Sequence, residues 1–220
     1  ADYELILVDD NSTDATPLII SRYMAADPRL RCFLSGAPGE RNKGPSVARN
    51  IGLAEAAGKY IYFADADDEL EPDMLQILYD VAESRSAQIV CCGYAMITEG
   101  YRRPFLYKGF NAADPKELSV HIPSLQAGQL LNVLWNKLFR RDFIESAGIR
   151  FPEYMRSGQD RHFNIRSLHA AASFSFVDRP LYNYHVRLDG ITLGYFDPKR
   201  FDWASEIFLM QKDLYRHFGI

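Results

Sequence analysis

The sequence predicts an α/β domain built on a mostly parallel sheet, and three observations carry that prediction. Apolar runs bounded by turn residues alternate with stretches of helical periodicity through residues 1–97, the pattern of strands joined by helical crossovers. Two acidic clusters, Asp9-Asp10 and Asp65 to Asp68, each follow an apolar run, and sheets of this kind hold ligands at the carboxyl ends of their strands. A chain of 220 residues, 47% hydrophobic and 25% charged, is enough for one substantial globular domain.

The elements follow in order. Residues 4–8 read as a buried strand through Leu5-Ile6-Leu7-Val8. A chain that opens on such a strand points to more chain ahead of it. Ser12, Thr13 and Asp14 offer capping oxygens to a helix over 15–26, which Asp27-Pro28 ends. Leu30 to Leu34 is a short strand, Gly36 to Gly44 a loop, and 45–57 a helix with Pro45 in its first turn and Gly58 as its stop. Tyr60 to Ala64 forms a strand that delivers Asp65 at its carboxyl end. Pro72 starts the next helix, with Leu75, Leu78, Val81 and Ala82 at core spacing, and 89–97 is the following strand. Beyond it the pattern is less regular. Helices are expected over 115–121, 141–147 and 159–172, strands over 174–177 and 181–186, and an amphipathic helix over 197–218. The chain thus divides at about 97 and 196 into an α/β half, a less regular half of the same domain, and a closing helix.

Composition excludes several classes. A net charge of -4 gives no pull toward nucleic acid or an anionic membrane, so a negative ligand needs a local site, with a metal to help. Cys32, Cys91 and Cys92 form no even disulfide framework and no zinc spacing. Cys91 and Cys92 lie in an apolar run and read as buried reduced thiols. No apolar stretch approaches bilayer length and no signal peptide opens the chain. The expected compartment is the cytoplasm, the inner face of the membrane included.

Asp65-Ala66-Asp67-Asp68 places three carboxylates in four residues. Their mutual repulsion is relieved by a hard divalent cation, Mn²⁺ or Mg²⁺, which prefers oxygen ligands and bridges carboxylates to phosphates. The competing reading is a solvated turn whose acids suit the dipole of the helix at Pro72, and this window alone does not separate the two. Asp9-Asp10-Asn11-Ser12 is either a ligand-binding acidic loop or a cap. Ile6 to Asn11 also looks like the acidic pair of a response-regulator receiver domain. That family needs a lone phospho-accepting Asp on a later strand, which Asp65-Ala66-Asp67-Asp68 is not.

Together the pieces resemble glycosyltransferase family 2. Asp2 to Asp14 is similar to that family's second strand and acidic loop. Ser46-Val47-Ala48-Arg49-Asn50-Ile51-Gly52-Leu53 and Ala57 to Asp68 resemble its most diagnostic block. Trp135 to Arg141 and Leu181 to Arg187 resemble its acceptor-side half. The resemblance implies a GT-A-like three-layer sandwich around a mostly parallel sheet, with residues 1–97 as the nucleotide-sugar half and 98–196 as the acceptor side. It implies that Asp10 holds the base of the nucleotide and Asp65 its ribose, that Asp67 carries the metal, and that Arg49 lies near the phosphates. Arg187 would belong to an element that folds over the donor. Gly158-Gln159-Asp160 falls where the family carries Glu-Asp, so Asp160 is the expected catalytic base, and Gln159 departs from the pattern. Trp135 is either an acceptor-cleft wall or core.

The implied activity is inverting transfer from a nucleotide-diphosphate sugar, a UDP-sugar first, to a hydroxyl of a saccharide or lipid-linked acceptor, in cell-surface polysaccharide synthesis. The family has a first strand and helix ahead of this chain's first residue, so the expected sheet lacks both. Its open edge could then pair with a second copy in a homodimer. The alternative is a non-catalytic nucleotide-sugar-binding module, and a receiver domain stands further off.

Overall fold

The structure, a computed structural model, describes residues 2–37, 39–186 and 197–220. Strand β1 (Leu5–Asp9) leads through helix α1 (Thr16–Ala26) to β2 (Leu30–Leu34), and the two strands pair in parallel. Pro17 sits in the first turn of α1, where its missing N–H costs nothing. Of the expected capping residues, Asp14 takes part, its Oδ1 accepting from Thr16 N at 2.9 Å. Helix α2 (Pro45–Glu55) starts behind Gly44, whose φ of +91° is open to glycine. β3 (Tyr60–Tyr62) then enters the larger sheet.

After β4 (Glu69–Leu70), α3 (Met74–Arg85) packs on the sheet through Met74, Leu78 and Ala82. Leu75, expected in that stripe, is 38% exposed. The i, i+4, i+8 row begins one residue earlier, which turns Leu75 toward solvent. β5 (Ile89–Thr98) has its first seven residues buried and forms the centre. β6 (Tyr101–Phe105) and β7 (Phe110–Ala112) pair at the margins, followed by α4 (Pro115–Ser119) and α5 (Ile122–Ala127). β8 (Lys137–Arg140), α6 (Arg141–Ser146), α7 (Gln159–Ala170), β9 (Phe174–His185) and α8 (Arg200–His217) complete the described elements.

The mostly parallel sheet is not what forms. Among the described residues the seven-stranded sheet runs β3-β8-β5-β9-β4, with β6 on β5 and β7 on β9, and within it β5–β9 is the parallel pair. β3–β8, β8–β5, β5–β6, β4–β9 and β7–β9 are antiparallel. Two of these pairs arise from β8, which slots between β3 and β5 after a stretch of short helices and turns rather than a single crossover helix, and the other three from the short strands β4, β6 and β7 added to β5 and β9. β1 and β2 stand apart as a two-stranded sheet.

The strands expected at 174–177 and 181–186 are one strand, β9, with a register shift against Cys92 and Gly93. Gly93 is required there. A Cβ on it would lie 2.5 Å from Leu106 Cδ2 and 2.7 Å from the Phe105 carbonyl oxygen. Pro180 sits at the same irregularity, where a missing N–H is tolerated. Cys91 and Cys92 are buried free thiols, and burial pushes the Cys91 thiol up to about 11.

Candidate active site

One helix organises the site. At its start, the backbone N–H groups of Lys43 and Gly44 donate to the Asp10 carboxylate, each at 2.8 Å, and the Ser35 hydroxyl donates to the same group. Burial pushes Asp10 upward, but these hydrogen bonds and the charge of Arg156 outweigh it and hold the carboxyl below its ordinary value. Arg156 also donates to the Lys43 carbonyl at 2.7 Å. A Cβ on Gly44 would meet the Arg156 guanidinium at 2.3 Å and displace it, while the φ of +91° is what favours glycine. Asp9, buried behind Asp10, accepts from Ser12 N at 3.0 Å and from the Ser12 hydroxyl, which ties down the turn after β1.

Further along α2, Arg49 reaches two acids. Its Nη1 donates to Asp160 Oδ1 at 2.6 Å and its Nη2 to Asp65 Oδ1 at 3.0 Å. The neighbouring Asn50 fixes the far wall, donating to the Phe151 carbonyl at 3.0 Å and accepting from Phe151 N at 2.9 Å. Beneath lie aromatic rings: Phe151 stacks on Phe163 at 4.2 Å, and Phe63 meets both edge-on. Gly158, in the left-handed conformation, opens α7 and sets Asp160 in its first turn, with the buried Gln159 beside it. Burial raises the proton affinity of Asp160, the Arg49 charge opposes it, Asp65 adds to it and Lys137 opposes it, and the net direction is up.

The acidic turn is fastened from behind. Asp68 accepts from the Tyr182 hydroxyl and from His185 N, both at 2.8 Å. Glu71 accepts from Asn183 Nδ2 at 3.0 Å, so the turn is zipped to the end of β9. Burial raises Asp68 despite these donors, helped by the charges of Asp67 and Asp65. Asp67 stands exposed in the turn.

The donors offered here are all carboxylate oxygens, which suits a hard cation. Among the described residues no group of three or more His, Cys, Asp or Glu could hold a metal by itself. Mg²⁺-like ions are commonly bound by one or two carboxylates, with waters and substrate phosphates supplying the rest. Asp67, with Asp65 nearby in the turn, fits that arrangement.

The structure therefore brings together Arg49, Asp65 and Asp160, places Asp10 at the other end of the same helix segment, and leaves Asp67 at the tip of the turn. Arg187 lies outside the described residues. Trp135 is 4% exposed and stacks on Tyr182 at 4.2 Å, which makes it core rather than a cleft wall. For several residues the sequence offers at most membership of a motif and no role. Lys137 is buried with its ammonium on Leu130 O, Val133 O and Asn136 Oδ1, and burial lowers its proton affinity. Asn136 donates to Cys92 O at 3.0 Å and Leu130 O at 3.1 Å, so the pair holds the turn ahead of β8. A polar dipeptide between Trp135 and Leu138 was the available signal. Asn50 stood in the diagnostic block without a role and Arg156 carried no signal, because their partners lie about a hundred residues away in sequence.

Comparison with known proteins adds an independent line. A family model described as glycosyl transferase family 2 matches residues 1–148. The chain is 31% identical over 194 residues to EpsH of Bacillus subtilis (strain 168), covering 87% of this chain and 55% of that protein. It is 29% identical over 195 residues to the succinoglycan biosynthesis protein ExoO of Rhizobium meliloti (strain 1021), covering 86% of this chain and 54% of that one. The chain spans about half the length of these curated relatives. In fold it is similar to the crystal structure of S. aureus TarS 1-349 in complex with UDP-GlcNAc, with a TM-score of 0.74 at 21% identity, over 98% of this chain and 62% of that one. No described helix is long and apolar enough to cross a membrane.

Proposed function

Since the chain belongs to glycosyl transferase family 2, we propose that it transfers a sugar, with inversion, from a UDP-sugar to a hydroxyl of a saccharide or lipid-linked acceptor in polysaccharide synthesis. The observation that carries this reading is the cluster in which Arg49 joins Asp160 to Asp65. It sets a candidate base beside a candidate donor-binding acid, above an aromatic floor. The receiver alternative is set aside, because family, sheet and acidic turn all depart from it.

In this reading Asp10 hydrogen-bonds the uracil and Asp65 the ribose. A half-buried carboxylate of raised proton affinity suits a general base. Asp160 takes the proton of the acceptor hydroxyl as that oxygen bonds to the anomeric carbon. The bond from that carbon to the phosphate oxygen breaks, and its electron pair leaves with UDP. Arg49 meets the diphosphate through its planar fork. A divalent cation held by Asp67, with Asp65, would supply Lewis-acid stabilisation of charge on the departing diphosphate. Asn50 and Gly158 act by holding the Phe151 segment and the first turn of α7 in place.

The test is a calorimetric titration of UDP with and without Mn²⁺. Binding is expected to strengthen with the metal in the native protein and to lose that dependence in Asp67→Ala. Metal-dependent affinity that survives the substitution would remove Asp67 from the role.

A further inference from the structure

Arg49 divides its fork between two acids, meeting one oxygen of Asp160 at 2.6 Å and one of Asp65 at 3.0 Å. The side chain is 18% exposed, and its guanidinium carbon lies 5.5 Å from the centre of the Phe151 ring. This is no solvated surface pair. The helix that carries Arg49 is pinned on both sides, by Asp10 against Gly44 and by Asn50 against Phe151. Any movement of the guanidinium is therefore a matter of side-chain rotamers. Each acid engages the fork through a single oxygen, whereas phosphate oxygens can take it in bidentate fashion.

We propose that Arg49 is a clasp whose closed form holds Asp160 out of proton transfer, and that the diphosphate of the donor opens it by taking the guanidinium. The inference rests on the reading of Asp160 as base. A carboxylate with its oxygen committed to a cation at this distance is a poor proton acceptor. Once the cation turns to the diphosphate, its opposing charge is withdrawn and the proton affinity of Asp160 rises further. The same motion releases Asp65 toward the ribose. The base becomes competent only when donor is present, which makes Arg49 a positioning residue for Asp160 as well as a phosphate contact.

If Asp160 and the diphosphate compete for one guanidinium, each must weaken the other's hold by the same factor. The experiment is a four-protein cycle on the intact chain: native, Asp160→Asn, Arg49→Gln and the double variant, each titrated with UDP in the presence of Mn²⁺. With Arg49 present, Asp160→Asn is expected to tighten UDP by roughly five-fold or more. In the Arg49→Gln background it is expected to change nothing. Equal tightening in both backgrounds would mean simple repulsion between Asp160 and the diphosphate, and would overturn the clasp, as would no tightening in either. Should Arg49→Gln fail to fold, Arg49→Lys replaces it: one ammonium cannot reproduce the fork across both acids, so undiminished coupling in the lysine variant also overturns the proposal. A native protein that does not bind UDP with Mn²⁺ sinks the functional reading and the clasp together. Binding without coupling sinks the clasp alone.

Discussion

The β1–α1–β2 unit and the β5–β9 centre are both strand-and-helix structure, but they are held by different means. In β1 only Asp9 is buried, and in α1 nothing is, with Leu18 at 65% and Tyr23 at 64% exposure. In β5 the first seven residues are buried, and the buried Phe174 and Phe176 of β9 pair alongside Ile89 and Cys91. Asp10, on the lightly packed side, owes its place to directed hydrogen bonds from Ser35, Lys43 and Gly44. Asp160 and Asp65, on the other side, are joined by Arg49, which lies over the Phe151 ring of the packed Phe63, Phe151 and Phe163 group, with the buried Lys137 near Asp160. One end of the site is set by polar geometry and the other by packing. Perturbations should therefore separate them.

The largest expected effect is chemical. Asp160→Asn should lower sugar transfer by roughly 10²–10⁴-fold while UDP still binds, because a general base contributes on that scale. A radiolabelled-donor transfer assay on the full-length protein reads it, and transfer at the native rate would end the assignment. Next comes packing. Phe163→Ala, fully buried in the aromatic floor, is expected to cost about 3–5 kcal/mol. Leu18→Ala on α1 should stay within about 0.5 kcal/mol. Urea unfolding of the two variants checks the contrast, and equal losses would show that α1 is packed after all.

The smallest effect is on pH. Asp10 is depressed in the folded state, so its contribution to stability is fully present above its unfolded value of 3.8 and is lost as pH falls through the lower folded one. Asp160 is raised, so it has the opposite sign: stability falls as pH rises from the unfolded value through the folded one and the acid ionises. Protection of the Lys43 and Gly44 amides, their exchange normalised to the intrinsic rate at each pH, should therefore fall at acid pH below the unfolded value, while the amides of the first turn of α7 show no matching loss there. A parallel loss at both ends would mean that the two carboxylates respond as one.

The same contrast governs how much could be read from the sequence. α1, β2 and α2 announce themselves through Asp14, Asp27-Pro28 and Pro45, which act locally, and the structure places them within a few residues of expectation, α2 ending at Glu55 before Gly58 is reached. β4, β6, β7, β8 and α5 do not. Glu69-Leu70 is a strand only because Tyr182 and Asn183 lie alongside, and Lys137–Arg140 hides its strand character behind two charged ends. The antiparallel insertion of β8 is a long-range fact with no local signature. In the site, Asp10, Asp65 and Asp67 could be located by their position after apolar runs and Asp160 by the family resemblance, whereas the pairing of Arg49 with two of them could not. That Arg49 spans Asp65 and Asp160 depends on α2, the end of β3 and the start of α7 meeting in space.

The stacked rings behind the acidic turn also have an optical consequence. The chain has two tryptophans. Trp203 is buried in α8, while Trp135 lies 4.2 Å from Tyr182, whose hydroxyl donates to Asp68. Replacing Trp203 with phenylalanine leaves a single indole two side chains away from the turn. Its emission then provides a built-in reporter of what arrives there, with no label added to the protein.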